Sequence, residues 1–95
     1  MTNKLNEAEL IAALATVPTW KLERGEMVRS ASFADFEQAI GFVNRVATLA
    51  EGANHHPDID IRYNQVRLSL VTHDSGGITQ MDIDLATSIE ILLKK

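Results

Sequence analysis

The sequence predicts an α+β fold in which a four-stranded antiparallel sheet carries three helices packed on one face, in the order α-β-β-α-β-β-α. Three segments repeat apolar residues at helical spacing behind capping residues. Between them lie two segments with the alternation of β-hairpins. Hairpins separated by helices favour an antiparallel sheet covered on one side. We expect residues 1–95 to form a single domain of this kind.

The first helix is predicted to begin after Asn6, which can cap it with Glu9 as the return partner three residues on. Leu5 and Leu10 occupy the two positions of a hydrophobic staple. Pro18 ends the helix, because the residue before a proline is disfavoured in the helical conformation.

The middle of the chain predicts a short hairpin and then the main core helix. The hairpin turns at Arg24 and Gly25. Ser32 is expected to open the second helix with Asp35 as its return partner, and Gly52 to end it. The helix has a wide apolar stripe, formed by Phe36, Ala39, Ile40, Val43, Val46, Ala47 and Ala50.

A second hairpin is predicted over residues 58–73. With Asn64 and Gln65 in a two-residue loop, Tyr63 pairs with Val66, and every large apolar residue of both strands falls on one face. The other face is polar. This pairing also brings the end of the fourth strand beside the start of the third.

The third helix is predicted to begin after Thr79, with Asp82 as the return partner of a capping box. Ile78 and Ile83 form another staple. The buried stripe consists of Leu85, Ala86, Ile89, Leu92 and Leu93.

Composition excludes several classes of function. The chain has no cysteine, which removes disulfides, thiolate zinc sites and thiol catalysis. Its net charge is −4 with nine scattered Lys and Arg residues, so direct nucleic-acid binding is not expected. No apolar run is long enough for a membrane span, and no signal peptide is evident. A cytoplasmic location is the expectation.

The three histidines are the main candidates for chemistry. His55 and His56 stand side by side before Pro57, and the hairpin places His73 at the same end of the sheet. Any one of them alone would be interpreted as a surface or capping residue. Together they suit acid–base chemistry, because imidazole has an unperturbed pKa of about 6.5. Adjacent side chains on extended backbone point to opposite sides, so the pair is not a ready-made chelating unit.

Two further residues are ambiguous from sequence alone. Glu51 lies in the last turn of the second helix, where a carboxylate is disfavoured, so either a solvated surface residue or a site residue is possible. Trp20 is the only tryptophan and can be either core or a stacking surface for a flat ligand. A three-histidine zinc site is a rival interpretation, weakened by the adjacent pair and by the lack of an HxxxH spacing.

The spaced motif resembles the pterin-4a-carbinolamine dehydratase family. It consists of His55-His56-Pro57, then Tyr63-Asn64-x-Val66, then Thr72-His73. The resemblance extends over residues 20–89 and includes the long helix. Some family members have aspartate where this chain has Asn54.

The resemblance implies a reaction and a site. The expected activity is that of a hydro-lyase that dehydrates a 4a-hydroxytetrahydropterin to the quinonoid dihydropterin, as in tetrahydrobiopterin recycling, with no metal or organic cofactor. It implies His55, His56 and His73 as the acid–base residues and does not say which is the acid. The residues implied to bind substrate are Glu51, Asn54, Thr72, Asp74 and Trp20.

The resemblance also implies partners. Family members are typically dimers or tetramers, so a homodimer or homotetramer is expected, and the open edges of the sheet favour the same conclusion. The alternative function is a non-catalytic protein-binding module, such as a dimerisation cofactor or an assembly factor, on the same fold.

Overall fold

The predicted element order is confirmed. The computed structural model describes residues 3–94, and these form a sheet with the strand order β1-β2-β4-β3, all pairs antiparallel. The elements are α1 (Glu7–Ala15), β1 (Lys21–Glu23), β2 (Glu26–Ser32), α2 (Phe36–Ala53), β3 (Asp58–Arg62), β4 (Gln65–Leu70) and α3 (Gln80–Leu93), with a short 3-10 turn at His73–Ser75 before α3.

The capping boxes predicted for the first and third helices are both present. Asn6 Oδ1 accepts from the Glu9 backbone N–H, and Glu9 Oε1 accepts from the Asn6 backbone N–H, each at 2.8 Å. Thr79 and Asp82 make the corresponding pair at the start of α3. Each box satisfies N–H groups that the first helical turn would otherwise leave without partners.

Both predicted ends of the second helix are wrong. Ser32 is the last residue of β2, where its hydroxyl donates to Gln65 Oε1 at 2.7 Å, and the N-cap is Asp35, which accepts from the Gln38 N–H. The helix continues through Gly52, and Asn54 ends it in the left-handed conformation with φ 51°. Asparagine tolerates that conformation better than other residues with a side chain.

The first hairpin turns at Arg24 and Gly25 as predicted, and both residues have positive φ. The second hairpin turns one residue earlier than predicted, at Tyr63 and Asn64, so Arg62 pairs with Gln65. The predicted pairing is therefore wrong by two residues in register. The Asn64 side chain donates to the Phe33 carbonyl at 2.7 Å, which holds this turn against the end of β2.

The core lies between the sheet and the helices. Phe42 and Val46 of α2 and Ile89 of α3 are almost completely buried with Leu68 and Leu70 of β4. Truncating a buried phenylalanine of this kind typically costs about 3–5 kcal/mol. The opposite face of the sheet is polar, as the alternation predicts, and carries exposed ion pairs such as Arg67–Glu23 at 2.7 Å. None of the described helices is sufficiently long and apolar to cross a membrane.

Candidate active site

The end of α2 directs the two adjacent histidines to different environments. Asn54, in the left-handed conformation, closes the helix with its backbone N–H, and the His55 N–H bonds to the Ala50 carbonyl at 3.1 Å. This reversal turns His55 into the protein, where 9% of the residue remains exposed, and leaves His56 exposed. The two rings therefore lie in different environments, one buried and one exposed.

The end of β4 brings the third histidine to the same place. Because β3 and β4 are antiparallel and Asp58 pairs with Ser69, the segment before β3 meets the segment after β4. A bridge between Thr72 and Gly77 then closes a small loop that presents His73. The result is an open depression of about 250 Å³ lined by Asn54, His55, His56, Val71, Thr72, His73 and Asp74. All three histidines therefore line one depression.

A buried carboxylate that the sequence analysis assigned only to a helix cap supports one of these rings. Asp82 is fully buried, and its Oδ1 lies 2.5 Å from His55 Nε2. Its Oδ2 accepts from the Thr72 hydroxyl at 2.8 Å and from the Thr79 backbone N–H at 2.9 Å. With two donors on Oδ2 and the amino end of α3 beside it, Asp82 is suited to remain an anion that receives the His55 N–H.

One signal in the sequence could have identified Asp82. It stands three, four and seven residues before Leu85, Ala86 and Ile89, which are all buried, so it lies on the buried stripe of α3. A carboxylate on such a stripe needs partners inside the protein.

Glu51 contacts the second histidine. Its Oε2 is hydrogen-bonded to His56 Nε2 across the last turn of α2, with both side chains largely exposed. The site thus contains two histidine–carboxylate pairs, one buried and one open to solvent. His73 makes no side-chain hydrogen bond to another residue within 3–94, and it is exposed where it lines the depression.

Trp20 lies apart from this depression. It is 3% exposed, belongs to the core, and lies near Glu90 of α3. Burial raises the pKa of Glu90, but the Arg29 guanidinium, 2.6 Å away, and the neighbouring Thr19 and Trp20 side chains outweigh it and hold that pKa below its ordinary value. The indole Nε1 has no partner at ordinary hydrogen-bond distance among residues 3–94. A contact between Trp20 and substrate stays a prediction.

His55 also borders a second cavity, of about 190 Å³, between α2 and α3. Its other lining residues are mostly apolar, with Asp84 and Ser88 as the polar ones. The histidine depression gathers more convergent polar groups, which is the usual mark of a site for chemistry. Within 3–94, no three His, Asp or Glu side chains are close enough together to hold a metal ion.

Comparisons with known proteins agree with the spaced histidine motif. The family described as pterin 4 alpha carbinolamine dehydratase matches residues 3–92. A protein of Acidobacterium capsulatum is 61% identical over 80 residues, which are 84% of this chain and 87% of that protein. A protein of Chloroflexus aurantiacus is 54% identical over 90 residues, or 95% of this chain and 97% of its own length. Both are provisionally named pterin-4-alpha-carbinolamine dehydratases.

Two solved structures are similar in fold. A crystal structure described as a transcriptional coactivator/pterin dehydratase from Brucella melitensis has a TM-score of 0.89 at 35% identity, covering 94% of this chain and 97% of that one. A pterin dehydratase-like protein described as a RuBisCO assembly factor in the alpha-carboxysome has a TM-score of 0.62 at 19% identity, covering 77% and 84%. At that identity the second similarity concerns the fold alone.

Proposed function

We propose that this chain, which belongs to the pterin-4-alpha-carbinolamine dehydratase family, removes water from a 4a-hydroxytetrahydropterin by histidine acid–base catalysis. The observation that carries the proposal is the convergence of His55, His56 and His73 on one depression, with a carboxylate behind each of the first two. No metal or organic cofactor is required by the chemistry described below.

The proposed reaction needs two proton transfers. The C4a–O bond breaks when the hydroxyl leaves as water, and this requires a proton on the oxygen. The N5 proton must leave as the C4a=N5 double bond forms. An imidazolium can supply the first proton and a neutral imidazole can accept the second, so the enzyme's total protonation is unchanged after the two rings re-equilibrate.

The surroundings of the rings suit them to different parts of this work. His55 is buried and held by Asp82, so its position is fixed relative to the depression. His56 and His73 are exposed and can exchange protons with solvent between turnovers. Asn54, Thr72 and Asp74 line the depression and offer an amide, a hydroxyl and a carboxylate to the polar edge of a pterin. Glu51 acts by orienting His56.

We also propose a homodimer or homotetramer. The edge strand β3 leaves Ile59 at 37% exposure, and the adjoining turn leaves Tyr63 at 65%. Phe36, in the first turn of α2, is 50% exposed. Open strand edges and exposed apolar side chains are surfaces that natural proteins tend to cover. Sedimentation equilibrium at several concentrations tests this, and a monomer throughout would refute it.

The activity is tested by generating a 4a-hydroxytetrahydropterin in situ and following its dehydration by absorbance. The comparison is with a reaction lacking enzyme, because the substrate also loses water unaided. His56→Ala and His73→Ala are assayed beside Asp60→Asn, an exposed change on the polar face of the sheet. We expect the wild type and the Asp60 variant to accelerate the reaction equally, and the two histidine variants to do so about a hundredfold less. A folded wild type without acceleration would refute the proposal and favour the protein-binding alternative.

A further inference from the structure

The hydroxyl groups of Thr72 and Thr79 form a short hydrogen-bond chain behind the site. Thr79 is fully buried, and its Oγ1 accepts from the Met81 backbone N–H at 3.2 Å. The two hydroxyl oxygens are 2.8 Å apart, and Thr72 Oγ1 is 2.8 Å from Asp82 Oδ2. The chain therefore runs from the first turn of α3 to the carboxylate that faces His55.

Counting protons gives this chain one direction. Each hydroxyl has a single proton to donate. Thr72 donates to Asp82 Oδ2, so Thr72 Oγ1 must accept the proton of Thr79. If Thr72 instead donated to Thr79, the lone pairs of Thr72 Oγ1 and Asp82 Oδ2 would face each other at 2.8 Å. The proton of the buried Thr79 hydroxyl would also be left without an acceptor. Both penalties are large for groups removed from water.

This direction determines which atom carries the proton between Asp82 and His55. Oδ2 is occupied by the Thr72 hydroxyl and by the Thr79 backbone N–H, and both stabilise the anionic carboxylate. Oδ1 is then an acceptor too, and the proton of the 2.5 Å contact belongs to His55 Nε2. A neutral imidazole with a proton on Nε2 has its free lone pair on Nδ1.

The geometry points to Thr79 as a positioning residue that acts through Thr72 and Asp82 to keep the His55 proton on Nε2, leaving Nδ1 as the nitrogen that exchanges a proton with the substrate. The chemical part of this inference rests on the proposed function. The tautomer does not, because it follows from the hydrogen bonds made to an ionised Asp82 carboxylate.

The test is ¹⁵N NMR of the histidine rings in the intact protein, at a pH where His55 is neutral. The protein has three histidines, so His56→Ala and His73→Ala assign the ring signals of His55 by elimination. Nε2 is recognised by its couplings to both carbon-bound ring protons. We expect the protonated-nitrogen shift at Nε2 and the unprotonated shift at Nδ1. A protonated Nδ1 in neutral His55 would overturn the inference.

Variants of Thr79 test its role. Thr79→Val removes the hydroxyl at nearly constant shape, whereas Thr79→Ser keeps it. Thr87→Val is the matched control, because Thr87 is on the same helix but its hydroxyl bonds to the Ile83 carbonyl. Without the Thr79 hydroxyl, Thr72 Oγ1 loses the donor that directs its own proton to Asp82. We therefore expect a mixture of His55 tautomers and about a fivefold fall in kcat, the equivalent of about 1 kcal/mol, for Thr79→Val only. A wild-type tautomer in folded Thr79→Val would overturn the role of Thr79.

Thr79→Val also removes a helix cap and is therefore expected to lower stability. Thr72→Val breaks the same hydrogen-bond chain without removing the side-chain cap of α3. The His55 tautomer is therefore measured in Thr72→Val if Thr79→Val does not fold. A wild-type protein with the Nε2–H tautomer but no dehydratase activity would refute the proposed function and leave the tautomer assignment standing.

Discussion

Asp82→Asn is the substitution that best separates the chemistry of the site from its fold. Asparagine has nearly the same shape as aspartate but offers one acceptor and one donor group. The Thr72 hydroxyl and the Thr79 N–H both demand an acceptor, so the amide oxygen should take the place of Oδ2. The amide NH₂ then faces His55 Nε2. His55 must accept at Nε2, and its proton moves to Nδ1.

The effect on stability can be worked from the three hydrogen bonds. A hydrogen bond to a charged group contributes about 1.5–3 kcal/mol and a neutral one about 0.5–1.5 kcal/mol, so each bond should weaken by about 1 kcal/mol. Removing a buried charge offsets part of this loss. We expect a net destabilisation of about 1–3 kcal/mol. A domain of this length has about 5–14 kcal/mol in total, so the variant should remain folded.

The effect on catalysis should be larger. A positioned acid or base contributes about 10²–10⁴ in rate, and Asp82→Asn places a proton on Nδ1, the nitrogen of His55 proposed to exchange a proton with the substrate. We expect kcat to fall at least about a hundredfold with KM nearly unchanged, because no residue that lines the depression has been replaced.

The dehydration assay is run beside urea unfolding, so that kcat is expressed per folded molecule. Asp84→Asn is the control: it lies on the same helix, is exposed, and bonds to the Gln80 side chain at 2.9 Å. It should retain wild-type kcat. A folded Asp82→Asn with wild-type kcat would refute the reasoning that the buried carboxylate sets the working form of His55.

Three further outcomes are expected. His56→Ala and His73→Ala should each lower kcat by about a hundredfold with little change in melting temperature, since both residues are exposed; wild-type kcat in either would remove that residue from the mechanism. The pKa of Glu90 is lowered in the fold, so its stabilising contribution is present above its ordinary pKa of 4.5 and is lost as pH falls through the lower folded value. As pH falls below 4.5, the free energy of unfolding should therefore decline more steeply in wild type than in Glu90→Gln. Parallel plots of unfolding free energy against pH for the two proteins would contradict this. Asn54→Ala should destabilise by about 1 kcal/mol because φ is 51°, whereas Asn54→Gly should not; equal thermal midpoints for the two variants would count against the left-handed cap.

The parts of the fold that depend on local spacing were predictable. The capping boxes of α1 and α3 need only a cap residue and a carboxylate three positions later, and both are present. The start of α2 was not predictable in this way, because Ser32 is equally suited to cap a helix and to end a strand. Its partner Gln65 lies 33 residues away, and only the tertiary structure decides between the two roles.

The register of the second hairpin shows a different limit. Alternation has a period of two residues, so the predicted register and the observed one place the same apolar residues on the same face. Periodicity therefore cannot distinguish them. What decides is Asn64, whose side chain and backbone both bond to Phe33, and this contact lies outside the hairpin.

The candidate site was likewise predictable in part from the sequence. Antiparallel pairing alone was enough to bring His73 beside His55 and His56, and the error of two residues in register did not matter for that conclusion. Asp82 was missed because the capping box gave a complete local reason for a carboxylate at that position. A residue with two roles shows no unexplained feature in sequence once the first role is recognised.

The double role of Asp82 also explains why this position carries an aspartate rather than a glutamate. A capping box is served by a longer carboxylate at the third helical position, as Glu9 shows in α1, where the side chain is exposed and free to curl back. Asp82 is fully buried and already 2.5 Å from His55 Nε2 while it accepts from the Thr79 N–H. A further methylene would have to be packed beside a fully buried carboxylate that already contacts the ring, at a cost of about 1–3 kcal/mol, or would displace the ring. The cap alone permits either acid, whereas the histidine requires the shorter one.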